Sequence, residues 1–199
     1  MNFNSTDTQI QIAEMIRDFG NKHIRPNMME WDEKQIFPVE VFKKLGELGL
    51  MGVLVPEEYG GSGLGYFEYV TVVSEIAKIC SSVGLSVAAH NSLCVGHILY
   101  FGNEEQKKKY LPRLCTGDMI WAFALTEKNA GSDAKGIETL AIEKEDHWLL
   151  NGEKMFITNS TSQISGGGNV LAITGENDGK KEYSVLLVDK NTKGYTTER

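Results

Sequence analysis

The sequence predicts an α+β protein: an N-terminal all-α helical domain followed by a small antiparallel β-barrel or sandwich domain. Three observations carry this. Apolar residues recur at helical spacing in the first part of the chain. After Gly117 the period shortens and the runs become rich in Ile, Val, Leu, Phe, Trp and Thr. Helices and strands follow one another in blocks, which argues against alternating βαβ units. The boundary falls near Asp118, so the expected domains are 1–118 and 119–199.

In the first domain, Thr6 with Gln9 has the form of a capping box, and Ile12, Met15, Ile16 and Phe19 then trace one helical face. Pro26 ends that helix. Pro38 suits the first turn of another, striped by Val41, Phe42, Leu45 and Leu48. Tyr66 to Cys80 carries Phe67, Val70, Ala77 and Cys80, with Val73 and Ile76 on the same side. Leu85 to Tyr100 is largely apolar and reads as a central helix. Asn103 with Gln106 caps a further helix, whose Lys107, Lys108 and Lys109 read as a solvated face rather than an anion site.

The second domain offers short strand-like runs: Met119 to Thr126, Thr139 to Lys144, His147 to Leu150, Lys154 to Thr158, Asn169 to Thr174 and Tyr183 to Asp189. Asn151-Gly152 predicts a tight hairpin between two of them, and Glu145-Asp146 a weaker turn between two others.

Composition narrows the function. The charge is −7, from 20 Lys+Arg against 27 Asp+Glu, and no clustered basic face marks a nucleic-acid binder. No apolar run reaches the roughly 18 residues of a membrane span. Met1 to Gln11 is polar, without the apolar centre of a secretory signal, so cytoplasmic or matrix-like residence is expected. Cys80, Cys94 and Cys115 are odd in number and widely spaced, which provides neither a disulfide framework nor a C-x-x-C site. Cys80 and Cys94 read as small buried hydrophobes. His90 and His97 lie two helical turns apart, too far to share an ion without other ligands, and no metal site is expected.

Glycine clusters invite a nucleotide reading and mostly fail it. Gly60-Gly61-Ser62-Gly63-Leu64-Gly65 departs from G-x-G-x-x-G and lacks a βαβ context. Gly175 to Lys181 misses the P-loop spacing, and Gly166-Gly167-Gly168 has no positive context. All three read as turns or flexible loops. The segment Phe123 to Asp133 differs. A strand there presents Phe123 and Leu125 on one face and Ala124 and Thr126 on the other. Asn129, Gly131, Ser132 and Asp133 then favour a tight turn with free backbone donors. Such a turn could hold a phosphate or a polar ring edge, and could equally be an ordinary turn.

This segment resembles the flavin-binding signature of acyl-CoA dehydrogenases. Ala124-Leu125-Thr126-Glu127, Ala130-Gly131-Ser132-Asp133 and Gly136 fit the pattern, with Lys128 where proline is common. Leu150 to Asn159 resembles the family's later strand pair, and Pro56 to Gly61 its N-terminal-domain loop. Tyr100-Phe101-Gly102 and Gln106 to Leu111 also fit, in family order along nearly the whole chain.

The resemblance implies FAD held by Phe123, Ala124, Leu125, Thr126, Gly131 and Ser132, with Phe156, Ile157 and Thr158 approaching from a second strand. Phe156 stands where many relatives carry tryptophan. Ser132 would also lie near the phosphopantetheine arm of an acyl-CoA substrate. Ser92, Val95 and Leu99 would floor the acyl pocket, although core packing explains them equally well. The implied reaction is α,β-dehydrogenation of an acyl-CoA thioester to the trans-2-enoyl-CoA, as in β-oxidation, with electrons passed to an electron-transfer flavoprotein.

The family's base is a glutamate from beyond the β domain. No catalytic residue is therefore expected in this chain, and Glu127 has a structural place. The C-terminal helical domain is expected to be absent, making the chain part of a longer homotetrameric or dimeric enzyme resembling the short-chain, butyryl type. An acyl-CoA oxidase or flavin monooxygenase on the same fold, or a noncatalytic assembly module, are the alternatives.

Overall fold

The computed structural model describes residues 4–198, so positions 1–3 and 199 of the expected domains lie outside the described residues. The chain divides into two units. One comprises Met1–Ile120 with Ser162–Ile164, and the other Trp121–Thr161 with Ser165–Arg199.

The first unit is helical: α1 (Asp7–His23), α2 (Met28–Glu33), α3 (Val39–Glu47), α4 (Tyr66–Ile79), α5 (Ser81–Ala88), α6 (Gly96–Phe101) and α7 (Glu104–Cys115). Both capping boxes form. Gln9 N donates to Thr6 Oγ1 at 3.2 Å, Gln106 N donates to Asn103 Oδ1 at 2.9 Å, and each glutamine side chain accepts from the cap residue's own N–H. Pro38 sits just before α3 rather than inside its first turn. Ile16, Ile24, Phe42, Leu45, Met51, Val53, Val72, Ile76 and Val87 are closed off from solvent in one cluster.

Two helical expectations are corrected. On α4 the buried stripe is Val72, Glu75, Ile76 and Ile79, while Phe67 is 77% exposed and Val70 also faces out. Apolar residues occur on every side of this helix, so periodicity does not choose a face. The buried Glu75 carboxylate is instead compensated by Arg17 from α1, at 2.8 Å, and Lys78, at 2.6 Å. The Arg17 hydrogen bond leads in holding the Glu75 carboxyl below its usual range.

The second correction concerns Leu85 to Tyr100, which is not one α-helix. A π-helical stretch, Ala89–Val95, separates α5 from α6. Asn91 accounts for this. Its Oδ1 accepts from Val53 N at 3.0 Å, and its Nδ2 donates to Leu50 O at 3.0 Å and Val87 O at 3.1 Å. These buried bonds favour the wider turn.

The second unit holds β1 (Ile120–Ala124), β2 (Leu140–Glu143), β3 (Trp148–Asn151), β4 (Ser165–Asn177) and β5 (Lys180–Asp189) in a five-stranded sheet. The path runs β1-β4-β2-β3, and β5 also pairs with β4. The expected β domain is present, but its sheet is mixed, because β2 runs parallel to β4. Residues 152–164 make that crossover possible.

The weaker turn forms: β2 and β3 are a hairpin closed by Lys144 N donating to His147 O at 2.8 Å. The stronger Asn151-Gly152 signal fails, and Lys154 to Thr158 is not a strand. Gly152 passes so close to Thr139 that a Cβ there would lie 2.3 Å from its hydroxyl, and the chain continues without reversing. Gly175 to Lys181 makes the end of the β4–β5 hairpin as a turn, with Asp178 at φ 49° and Gly179 at φ 72°. Gly166-Gly167-Gly168, expected in a loop, belongs to β4.

Candidate functional site

β1 carries the chain to Ala124, and Leu125 and Thr126 leave the sheet. Glu127 N then donates to Ala130 O at 2.8 Å and Ala130 N to Glu127 O at 3.2 Å, closing a turn over Lys128-Asn129. The turn therefore closes without the proline. It brings Gly131 back to Thr126: a Cβ on Gly131 would stand 4.0 Å from Thr126 Cγ2. Gly131 and Ser132 are exposed, and Asp133 Oδ1 accepts from Lys135 N at 3.2 Å to open the short 3-10 turn Ala134–Gly136.

The second implied segment lies alongside the first. Met155 N donates to Thr126 O at 2.8 Å. Lys154 Nζ donates to Leu125 O at 3.0 Å and to Glu127 Oε1 at 2.7 Å. Phe156 follows at φ 58° and is 85% exposed. Left-handed backbone is rare for a bulky residue, and a large apolar ring in solvent has no packing reason to be there. Ile157 and Thr158 are half-buried beyond it. The structure thus brings Phe123 to Thr126, Gly131 and Phe156 into one neighbourhood.

Glu127 is the electrostatic centre of this neighbourhood. Burial alone would raise its carboxyl. Hydrogen bonds from Lys154, the Thr139 hydroxyl and the backbone N–H groups of Glu138 and Thr139 outweigh that and hold it at about 2. A carboxylate so held is a weak proton acceptor, which suits a structural place better than that of a base. Sequence reasoning missed Thr139, Lys154 and Met155 as partners of the segment. Lys154 lies 27 residues from Glu127, and no local pattern announces the pair.

The donor set suits a polar ring edge. Among the described residues, no protein partner holds the hydroxyls of Thr126, Ser132 or Thr158. Unpartnered hydroxyls and an exposed aromatic ring are the groups that a planar heteroaromatic ligand bordered by acceptors would use.

Ser92, Val95 and Leu99 belong to the helical unit. Ser92 is exposed and donates to Ala88 O at 2.7 Å, Val95 is 1% exposed within the core, and Leu99 is half-buried. Cys94 and Cys115 are buried free thiols. Burial pushes both up, Cys115 to about 12, which suits inert hydrophobes. Among the described residues, no cluster of His, Cys, Asp and Glu could hold a metal, and no helix is long and apolar enough to cross a membrane.

A helical unit followed by a β unit has close counterparts. The acyl-CoA dehydrogenase N-terminal domain matches residues 6–118, and the acyl-CoA dehydrogenase middle domain matches residues 122–199. A probable acyl-CoA dehydrogenase of Bacillus subtilis is 47% identical over 197 residues, covering 98% of this chain and 51% of the relative. The solved butyryl-CoA dehydrogenase of Megasphaera elsdenii superposes with a TM-score of 0.90 at 38% identity, covering 98% of this chain and 52% of that one. An acyl-CoA dehydrogenase of Bacillus anthracis, solved in complex with FAD, superposes at 0.89 with 36% identity, covering 98% and 33%. The chain belongs to the acyl-CoA dehydrogenase family. It spans about half the length of the curated relatives it matches.

Proposed function

We propose that this chain supplies the helical and flavin-binding domains of an FAD-dependent acyl-CoA dehydrogenase. The enzyme would convert a short-chain acyl-CoA to its trans-2-enoyl-CoA, and electrons would pass to an electron-transfer flavoprotein. Family membership supports the reaction class. The observation that carries the cofactor reading is the pairing of the Thr126 turn with the exposed, left-handed Phe156. Bound FAD supplies the hydride acceptor for the β carbon.

In this reading, Phe123, Ala124 and Leu125 lie against the ring, and the Thr126 hydroxyl and neighbouring N–H groups bond its polar edge. Phe156, Ile157 and Thr158 form the opposing wall. Gly131 and Ser132 leave room for a phosphate-bearing arm, and Ser92 and Leu99 border the acyl chain with Val95 supporting them from the core. The base is assigned to no residue of this chain. We place the enzyme in a cytoplasm-like compartment as a homotetramer or dimer.

The test is direct. The purified protein, given FAD, turns yellow with flavin fluorescence quenched, and the full-length enzyme bleaches with butyryl-CoA under nitrogen. A folded protein that leaves FAD fluorescence unchanged overturns the reading.

A further inference from the structure

We infer that Lys154 and Glu127 form a clamp that positions the cofactor segment and strengthens one of its backbone donors; this rests on the flavin reading above. Both side chains are 9% exposed, and their charges meet at 2.7 Å. Lys154 Nζ also reaches Leu125 O at 3.0 Å. Glu127 accepts from Glu138 N at 2.6 Å, Thr139 N at 3.1 Å and the Thr139 hydroxyl. One ion pair thus joins three stretches of chain: 125–127, 138–139 and 154. Met155 N on Thr126 O then fixes the start of the Phe156 wall against the Thr126 wall.

The clamp acts on more than distance. Leu125 O and Thr126 N–H are the two ends of one peptide unit. An ammonium on the oxygen draws electron density from that unit and makes its N–H a stronger donor. Met155 N does the same to the next peptide, but its N–H, that of Glu127, is already taken by Ala130 O. Thr126 N–H has no protein acceptor among the described residues. The strengthened donor is therefore the one left for a ligand. Buried ion pairs are often replaceable by apolar side chains without loss of stability, so a role in fold alone does not require this pair.

FAD itself is the probe. Wild type, Lys154→Met and the double variant Glu127→Gln/Lys154→Met are titrated with oxidised and with dithionite-reduced FAD, and their melting is followed by circular dichroism. The double variant is neutral and keeps one acceptor oxygen, enough for the Thr139 amide and hydroxyl, while the Glu138 N–H gives up its acceptor. It should still fold, melting below wild type by the cost of that one amide, and bind oxidised FAD about tenfold more weakly. Its loss of affinity for reduced FAD should be larger by a factor of about three, because reduction places negative charge on the ring's polar edge and gains most from a strong donor. A folded double variant with wild-type affinity overturns the clamp, and an equal loss for both forms overturns its effect on the donor. Should neither Lys154 variant fold, the near-isosteric Thr139→Val, which frees Glu127 of one donor, should weaken FAD binding about threefold; unchanged affinity there overturns the clamp as well. Wild type that takes up no FAD sinks the cofactor reading at the first titration.

Discussion

Protonating His90 means placing a charge inside a closed core. The ring is fully buried, and its Nε2 lies 3.0 Å from Leu114 O. Burial lowers its pKa from 6.5 to about 4, against the opposing pull of backbone hydrogen bonds at Leu114 and Met51. Between those values the unfolded chain binds a proton that the native chain refuses. Stability is therefore full above pH 6.5 and falls toward pH 4, by about 3 kcal/mol in all. Glu127, depressed in the same direction to about 2 from 4.5, adds its own loss only below pH 4.5. Urea midpoints at pH 7, 5.5 and 4.5 should fall before the carboxylates titrate, and His90→Gln should flatten that limb. An unchanged limb in the variant would reassign it. Phe156 offers a second test at this scale. Phe156→Gly relieves a left-handed backbone and gives up little burial, so it should raise stability by about 1 kcal/mol while weakening FAD binding. Thermal melts and FAD titration on the same sample check both halves.

At the scale of elements, β4 tolerates almost nothing at Gly167. Its φ is 139°, and a Cβ would stand 2.1 Å from Val188 O. Gly167→Ala should cost more than about 2 kcal/mol or open the β4–β5 ladder. Gly179 also has a positive φ, but nothing lies within 4 Å of a Cβ there, so Gly179→Asn should cost under about 1 kcal/mol. Chemical denaturation of the pair checks the contrast.

The same elements show what a sequence can convey. The caps at Thr6 and Asn103 were legible because both partners lie within one turn. The turn from Thr126 to Asp133 was legible because its small residues fall at fixed spacing. The face of α4 was not, since apolar residues surround it and Glu75 takes its partner from α1. The six-residue α2 has no buried residues to give it a period. Asn151-Gly152 misled because a local turn preference lost to Gly152 crossing Thr139 and Lys154 reaching Glu127. Long-range polar pairs leave no period in the sequence, and they decided both the failed hairpin and the missed part of the site.

At the scale of the molecule, the helical unit leaves Tyr66, Phe67, Val70, Tyr100 and Phe101 in solvent, with the Tyr66 and Tyr100 hydroxyls 3.2 Å apart. An apolar patch of this kind promotes association. Phe67→Glu with Phe101→Glu should lower self-association in sedimentation velocity and move the melting temperature by no more than a degree or two. A large fall in melting temperature would mean that the rings support the fold.

The branching of the sheet at β4 sets a timetable. β1 ends at residue 124 and the β2–β3 hairpin at 151, yet the strand that both need begins at 165. On the ribosome, those strands emerge without their partner and wait for a later stretch of chain. The helical unit waits too, since Ile120 N finds its acceptor, Ile164 O, only at 2.9 Å across the same gap. Edges held open during synthesis are where newborn chains stick to one another. Chaperone demand for this protein should therefore peak as residues 120–165 leave the exit tunnel and fall once β4 has followed.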